Sequence, residues 1–245
     1  MIVSEMHRHG EFLFRHRSYV PMFLLIPIAV ALLQMSPEGQ RSPSDDWWAY
    51  ACFGVSLCGL FVRAMTVGFV PGGTSGRNTS NQRATVLNVA GLYSVVRHPL
   101  YVGNFLMWLG IMLSVSDVII VALYILAFWL YYERIMSAEE LYLADKFGRD
   151  YSEWAERTPA FVPRLSQWQS APLRFSLKTV LRREYCGILG LTVAYGGLNL
   201  ARHSVVDGQI FIDAVWQIVL ASGTIAFFVL RFLKKWTRML DVDGR

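Results

Sequence analysis

The sequence carries little charge. Asp, Glu, Lys and Arg together make up 17% of its 245 residues, whereas hydrophobic residues make up 54%. A soluble globular domain has about 25% charged residues, so this deficit argues against a soluble protein. The apolar residues also occur in long runs, and a helix that crosses a bilayer needs roughly 20 of them. The composition therefore predicts an all-α, polytopic helical membrane protein.

Cysteine is also scarce, and its three copies are scattered. Cys52, Cys58 and Cys186 form neither a CxxC pair nor a mixed Cys/His motif. This spacing argues against a disulfide framework and against a metal site. Nucleic acid is not expected as a partner, because a basic surface beside anionic lipid accounts for the formal net charge of +5.

Six apolar segments are predicted to be transmembrane helices, at residues 19–35, 47–70, 99–115, 117–133, 184–202 and 210–233. The third and fourth are joined by a tight turn at Ser116-Asp117, which predicts a helical hairpin. With a cytoplasmic N-terminus, 20 of the 23 Lys and Arg residues fall on the cytoplasmic side, in keeping with the positive-inside rule. Both termini and the polar segments 71–98 and 134–183 are therefore expected on that face, where they can build one active site.

The chain divides into three predicted regions. Residues 1–70 are N-terminal membrane helices, residues 71–183 a catalytic core, and residues 184–245 C-terminal membrane helices. One charge interrupts this pattern, because Arg63 lies inside the second predicted span, where a charge is costly. It either extends to the membrane boundary or points into the active-site cavity.

Three local patterns in the core predict backbone structure. Residues 132–154 have helical composition, so the fourth span is expected to continue beyond the membrane to a cap or bend at Gly148. Two prolines in residues 158–165 predict an extended strap. Residues 174–183 alternate basic and apolar side chains, which is typical of a helix lying on the bilayer surface.

The third predicted span opens with Arg97, His98 and Pro99. Proline is favoured at the first position of a helix, so His98 is the expected cap. The amides of Leu100, Tyr101 and Val102 are then expected to be unpaired. A helix N-terminus of this kind attracts anions, and the charge of Arg97 strengthens the attraction.

An opposing charge is available on the second polar segment of the same face. Glu139 and Glu140 lie about 40 residues after His98. A ligand that carries both a carboxylate and an ammonium group would satisfy the two sites. The alternative is that Arg97 only anchors the helix to lipid headgroups and His98 only caps it.

The two motifs together resemble a known family. "GLYSVVRHPLYVGN" followed by "ERIMSAEELYLADKFGRDYSEWAERTPAFVPRL" is similar to the isoprenylcysteine carboxyl methyltransferases and phospholipid methyltransferases, over roughly residues 85–165. The resemblance implies an integral-membrane enzyme that uses S-adenosyl-L-methionine and methylates a lipid or lipidated acceptor at the membrane boundary. By the resemblance, the cofactor-binding residues are His98, Leu100, Tyr101, Gly103, Glu139 and Glu140.

The resemblance also places an arginine near the acceptor, at Arg157. This residue precedes Thr158-Pro159, where the family usually has Val-Pro. Together with Arg97 and Tyr101, Arg157 is expected at the reacting centre. No metal is required, since the sulfonium of the cofactor is itself a strong electrophile and catalysis can depend on positioning.

The acceptor is expected to be anionic. An amine would first have to lose a proton to a general base, whereas a phosphate or carboxylate is already ionised. The polar segments offer no isolated candidate base beyond the two glutamates assigned to the cofactor, but they are rich in arginine. The expected acceptor-binding residues are Arg77, Arg83, Arg157 and Arg164. A lipid phosphate is preferred to a prenylcysteine carboxylate, and amine and thiol acceptors stay open.

Two other classes of protein are compatible with the composition. Membrane steroid and enone reductases share a similar helical core and bind NADPH, whose phosphates would also suit an arginine-rich face. Transporters usually place polar groups near the middle of the bilayer, whereas here they cluster on one face. The methyltransferase interpretation is preferred, and the expected location is a bacterial inner membrane.

Overall fold

The computed structural model describes residues 2–16, 23–33, 43–72 and 84–245. Within these ranges the chain forms α-helices and short turns, and no β-strand. The helices are α1 (Ile2–Arg15), α2 (Leu25–Leu33), α3 (Pro43–Phe69), α4 (Pro99–Leu113), α5 (Val118–Phe147), α6 (Arg149–Arg157), α7 (Leu177–Arg202) and α8 (Ala214–Trp236). The predicted all-α class is confirmed.

Three described helices are long and apolar enough to cross a membrane. They are residues Asp46–Phe69 within α3, the whole of α5, and the whole of α8. Helix α4 is also apolar but shorter. Helices α3, α4, α5 and α8 coincide with the second, third, fourth and sixth predicted spans. The chain is therefore a helical membrane protein. The total of six spans stays a prediction, because the first extends outside the described residues and the fifth lies within α7.

Glycines set the distance between α3 and α4, which form the most extensive helix contact of the fold. A Cβ atom at Gly59 would lie 2.5 Å from the carbonyl oxygen of Gly103 and 2.5 Å from the amide nitrogen of Met107. A Cβ atom at Gly110 would meet the backbone of α3 at Cys52. Small residues allow membrane helices to approach this closely. The two helices therefore have little freedom to slide, and the start of α4 is fixed relative to α3.

The predicted hairpin between α4 and α5 is confirmed. Ser116 has a φ of 61°, which reverses the chain. Asp117 then caps α5, since its side chain accepts hydrogen bonds from the amides of Ile119 at 2.8 Å and Ile120 at 3.1 Å. A capping aspartate satisfies amides that the helix cannot pair.

Helix α5 continues well past the apolar segment, as predicted, and ends at Gly148. This glycine has a φ of 52° and separates α5 from α6. The residues after α6 form the predicted extended strap. Its backbone pairs with the segment before α4, because the amides of Arg97 and His98 donate to the carbonyls of Pro159 at 2.9 Å and Ala160 at 3.2 Å. In the opposite direction, the amide of Arg164 donates a hydrogen bond to the carbonyl of Val95 at 2.9 Å.

The prediction of a separate surface helix at residues 174–183 is wrong. Ser176 caps α7 by accepting a hydrogen bond from the amide of Thr179 at 3.2 Å, and the helix then runs without a break to Arg202. The basic residues belong to the first turns of this long helix, where Thr179 and Val180 are buried. The predicted boundary between residues 183 and 184 falls inside α7.

Both described ends of the chain lie at the polar end of the bundle, defined as the end where α3 stops at Phe69 and α4 begins at Pro99. Near the C-terminus, the carbonyl of Gly244 accepts a hydrogen bond from the amide of Gly72 at 2.7 Å. Near the N-terminus, α1 packs against α5 so closely that a Cβ atom at Gly10 would lie 2.8 Å from the Cβ atom of Ala138. Glu139 follows Ala138 directly in α5, so this contact lies close to the paired glutamates.

Candidate active site

The start of α4 and the polar half of α5 bring two cations and two carboxylates together. Nε2 of His98 lies 2.9 Å from Oε1 of Glu140, and Nδ1 lies 3.6 Å from Oε2 of Glu139. Nε of Arg97 lies 3.3 Å from Oε1 of Glu140. The hydroxyl of Tyr101 donates to Oε1 of Glu139 at 2.8 Å. The two sequence motifs therefore meet in one cluster, here called the charge cluster (Arg97, His98, Glu139 and Glu140).

Local structure explains this arrangement. Consecutive residues of a helix point about 100° apart, so Glu139 and Glu140 leave α5 in different directions. An imidazole has a nitrogen on each side of its ring and can reach both carboxylates. The strap fixes the backbone of Arg97 and His98 and covers this position, and only 7% of the surface of His98 is exposed.

Two opposing effects act on the protonation of His98. Burial lowers the pKa of His98, but hydrogen bonds to Glu139 and Glu140 and the charges of both carboxylates outweigh it and raise the pKa above the ordinary value of 6.5. The raised pKa favours the imidazolium form of His98. In that form, the charge cluster pairs two basic side chains with two carboxylates.

The predicted row of free amides at the start of α4 is wrong in part. His98 is the cap and Pro99 the first helical residue, as predicted. However, the amides of Tyr101 and Val102 donate to the carbonyl of His98 at 3.1 and 3.2 Å. The tight first turn pairs these groups internally. The positive charge at this helix end comes from the side chains of Arg97 and His98.

Two buried polar atoms beside the charge cluster lack a hydrogen-bond partner in the described part of the chain. They are Nε of Arg97 and the hydroxyl of Tyr151, on α6. Burial raises the pKa of Tyr151 above its ordinary value, and the charge of Glu140 raises it further, so the hydroxyl keeps its proton. Nε of Arg97 still faces Oε1 of Glu140 at 3.3 Å, whereas the hydroxyl of Tyr151 has no such partner among the described residues. Buried polar groups are nearly always hydrogen-bonded, so this hydroxyl indicates a place for a polar group of a ligand.

Tyr151 was not identified from the sequence, although a signal was present. Tyr151 and Trp154 are three residues apart in α6, and both are buried. The indole of Trp154 donates to the carbonyl of Tyr93 at 3.1 Å and so attaches α6 to the segment before α4. An aromatic pair at helical spacing marks the buried face of an amphipathic helix.

Two further predicted cofactor residues lie on α4 with different surroundings. Leu100 is half-buried in the first turn. Gly103 is buried against α3, where an added Cβ atom would meet the side chain of Arg63 and lie 2.8 Å from the carbonyl oxygen of Gly59. The space beside Gly103 is thus filled by α3, and the role of both residues in cofactor binding stays a prediction.

The predicted acceptor-binding arginines are not part of the charge cluster. Arg157 and Arg164 are exposed, and neither forms an ion pair within the described ranges. Nε of Arg157 donates to the carbonyl of Glu153, one turn earlier in α6, at 3.0 Å. Arg77 and Arg83 lie outside the described residues. The role of all four arginines stays a prediction.

The structure also locates the intramembrane charge, Arg63. Its Nε and one terminal nitrogen each lie 2.8 Å from an oxygen of Glu184 on α7. The guanidinium is thus paired within the bundle, with Glu184 on α7 and Asn104 on α4. Glu184 was missed, although an acidic residue in one predicted span is the natural partner of a basic residue in another.

Comparisons with known proteins agree with the position of these motifs. Residues 72–150 match the family model described as phospholipid methyltransferase. The nickel-cobalt-cadmium resistance protein NccN of Alcaligenes xylosoxydans xylosoxydans is 31% identical over 197 residues, which are 79% of this chain and 88% of NccN. No solved structure matches this chain.

Two other relatives match over shorter stretches. The cobalt-zinc-cadmium resistance protein CzcN of Cupriavidus metallidurans is 40% identical over 90 residues, 37% of this chain and 41% of CzcN. The protein-S-isoprenylcysteine O-methyltransferase of Schizosaccharomyces pombe is 33% identical over 73 residues, 30% of this chain and 31% of that enzyme. The chain thus spans less than half the length of these two relatives. Taken together, these matches and the helical membrane fold show that the chain belongs to the superfamily of integral-membrane methyltransferases that includes the isoprenylcysteine and phospholipid methyltransferases.

Proposed function

We propose that this protein transfers a methyl group from S-adenosylmethionine to an anionic group of a lipid or lipidated molecule at the membrane boundary. The observation that carries the proposal is the charge cluster, in which two basic side chains meet two carboxylates, together with the buried hydroxyl of Tyr151 beside it. A cluster of this kind can bind a zwitterion. Its basic side chains then pair with the carboxylate of the ligand, and its glutamates pair with the ammonium group, in place of the ion pairs within the cluster.

The residues present fit the amino-acid part of this cofactor. Arg97 and His98 provide positive charge for a carboxylate, and Tyr151 provides a neutral donor. Glu139 and Glu140 provide negative charge for an ammonium group. Tyr101 holds Glu139 through its hydroxyl, while the strap keeps water from one side of His98. The cofactor would supply an electrophilic methyl group on its sulfonium.

The charge of the proposed acceptor follows from the lack of an available general base among the residues of the charge cluster. Glu139 and Glu140 pair with His98 and are assigned to the ammonium group of the cofactor, so neither is left to remove a proton from an amine. An acceptor that is already ionised, such as a lipid phosphate or a prenylcysteine carboxylate, needs no base. The name of the relative from Schizosaccharomyces pombe describes methylation of an oxygen on a protein S-isoprenylcysteine by that enzyme. Exposed Arg157 and Arg164 are the proposed acceptor-binding residues of the described chain, with Arg77 and Arg83 completing the set.

The proposed location is a bacterial inner membrane, with both termini and the charge cluster in the cytoplasm. The positive-inside rule supports this orientation. The contacts of Gly244 with Gly72, and of Gly10 with α5, support it as well, because they bring both chain ends to the polar end of the bundle.

The test is methyl transfer from radiolabelled S-adenosylmethionine, with purified protein in lipid nanodiscs. Total bacterial lipid and a prenylated cysteine are offered as acceptors, and the products are separated by thin-layer chromatography. We expect a labelled product, whose lability to phosphatase or to mild base distinguishes phosphate from carboxyl ester. Absence of cofactor binding would contradict the proposal, and protection from heat by NADPH instead would favour a reductase.

A further inference from the structure

A polar network crosses the apolar interior between four helices. It begins at Glu184 on α7, which is 3% exposed and pairs with Arg63 on α3 through two contacts of 2.8 Å. A second terminal nitrogen of Arg63 donates to Oδ1 of Asn104 on α4 at 2.5 Å. Nδ2 of Asn104 donates to the hydroxyl of Tyr132 on α5 at 3.0 Å.

Stability alone does not account for the ion pair in this network. Removing two charges from water costs several kcal/mol per ion, and apolar residues of similar size often stabilise a fold as well or better. Charged residues inside membrane helices usually serve a function for this reason. The fold also accommodates Arg63 specifically, because Gly103 leaves room for its side chain against α4.

The network has a defined polarity. Arginine can only donate hydrogen bonds, so the atom of Asn104 that faces Arg63 must be the carbonyl oxygen. The amide nitrogen of Asn104 must then face Tyr132 and donate to its oxygen. The hydroxyl proton of Tyr132 is therefore directed away from Asn104. Arg63 thus sets the orientation of a side chain on each of two neighbouring helices.

The last member of the network contacts the candidate active site. The ring of Tyr132 lies 4.7 Å from the ring of Tyr101, centre to centre. The ring of Tyr101 is also stacked on His98, at 5.6 Å between ring centres. The hydroxyl of Tyr101 donates to Glu139. Tyr101 therefore contacts both a ring that the network orients and a ring of the charge cluster.

We propose that Arg63, Glu184, Asn104 and Tyr132 are positioning residues for methyl transfer, because they fix Tyr101 and through it Glu139. This inference rests on the proposed function. It makes α7 part of the catalytic unit, although the matched family region ends at residue 150. Helix α7 then acts on the site through the hydrogen bonds of the network and the ring contact of Tyr132 with Tyr101.

The first test uses Asn104→Asp in the full-length protein in lipid nanodiscs. Aspartate keeps the size of the side chain and its contact with Arg63, but it cannot donate, so the hydroxyl of Tyr132 must turn its own proton toward residue 104 and the polarity of the network is reversed. We expect kcat for methyl transfer to fall about 10- to 100-fold, since a small displacement of a positioned group has effects of this size. The melting temperature should stay close to that of the wild type. Wild-type kcat in Asn104→Asp would overturn the inference.

The matched control is Tyr195→Phe. The hydroxyl of Tyr195 on α7 is 2.9 Å from Oγ of Ser56 on α3, so this buried pair also joins α7 to α3 but does not contact the network. Its loss should lower the melting temperature and leave kcat unchanged. An equal loss of kcat in this control would overturn the inference, because any weakening between α3 and α7 would then suffice.

The second test removes the ion pair while preserving volume, in the double variant Arg63→Met/Glu184→Met. We expect a melting temperature at or above that of the wild type and a kcat lowered about 10- to 100-fold. Full activity in a stable double variant would show that the pair is dispensable and would overturn the inference.

A third measurement is independent of catalysis. Protein labelled with ¹³C at Cζ of tyrosine gives an NMR signal for Tyr101, assigned by its absence in Tyr101→Phe. The signal should move in Asn104→Asp and stay in place in Tyr195→Phe. The signal could behave in this way in both variants while the wild-type protein methylates no acceptor. That result would support the positioning network and contradict the proposed function. An unmoved Tyr101 signal in Asn104→Asp would overturn the inference whatever the protein methylates.

Discussion

His98 combines two roles at one position, since it caps α4 and contacts both glutamates. Only a doubly protonated imidazole offers an N–H donor on each side of a flat ring. Its two carboxylate partners keep that second proton in place, against the effect of burial. The charge of His98 is therefore coupled to the folded state.

This coupling predicts how stability depends on pH. The pKa of His98 is raised above 6.5 in the folded protein, so its stabilising contribution is complete below 6.5 and is lost as pH rises through the raised pKa. As pH rises above 6.5, the wild type should lose more thermal stability than His98→Gln. Melting curves across this range check the prediction, and parallel pH profiles for the two proteins would contradict it.

The charge cluster predicts which glutamate substitution disturbs cofactor binding. Glu140→Gln keeps the shape of the side chain but removes the negative partner of Arg97 and His98. We expect affinity for S-adenosylmethionine to fall about 10- to 100-fold, as measured by isothermal titration calorimetry, and His98→Ala to cause a similar loss.

The matched control for Glu140 is Glu153→Gln on α6. Glu153 pairs with Arg149 at 2.6 Å, and both side chains are largely exposed, so their ion pair contributes little. This variant should bind the cofactor like the wild type. Unchanged binding in both Glu140→Gln and His98→Ala would contradict the proposed cofactor site.

At the scale of elements, the close packing of α3 on α4 positions the charge cluster. In Gly59→Val, the new Cβ atom would lie 2.5 Å from backbone atoms of Gly103 and Met107, which cannot move aside. We expect a destabilisation of about 1–3 kcal/mol from overpacking. Thermal unfolding of Gly59→Val should show a lower melting temperature than the wild type. Methyl transfer, measured at a temperature where the variant is still folded, should also be reduced.

Gly54→Val is the control on the same helix. A Cβ atom at Gly54 would meet nothing within 4 Å, so the same substitution should leave the melting temperature nearly unchanged. Equal destabilisation by the two variants would show that helix propensity, and not the α3–α4 contact, is responsible.

Element prediction succeeded where the signal was local. Asp117 caps α5, Gly148 ends it, and two prolines prevent a helix between residues 158 and 164. The surface helix at 174–183 was a wrong prediction because its basic and apolar pattern is also that of the first turns of a longer helix. The burial of Thr179 and Val180 distinguishes the long helix from a surface helix. Burial depends on contacts with distant parts of the chain, which a local sequence pattern does not show.

At the scale of the whole molecule, the prediction concerns orientation. A green fluorescent protein fused after Arg245 should fluoresce, and alkaline phosphatase at the same position should be inactive. Insertion after Gly208, in the turn between α7 and α8, should give the reverse pattern. The reason is the positive-inside rule, which holds the basic loops in the cytoplasm. An active phosphatase after Arg245 would contradict the proposed orientation.

The sequence by itself determined the helical membrane class, the hairpin, the strap and the two motifs of the charge cluster. These follow from composition, turn residues and a family resemblance, which depend on neighbours along the chain. Tertiary structure decided that Arg63 meets Glu184, because these residues are 121 positions apart. It also decided that Tyr151 lies beside Arg97 and that the first-turn amides of α4 are paired. Contacts between distant helices depend on packing in three dimensions, and a local pattern does not contain that information.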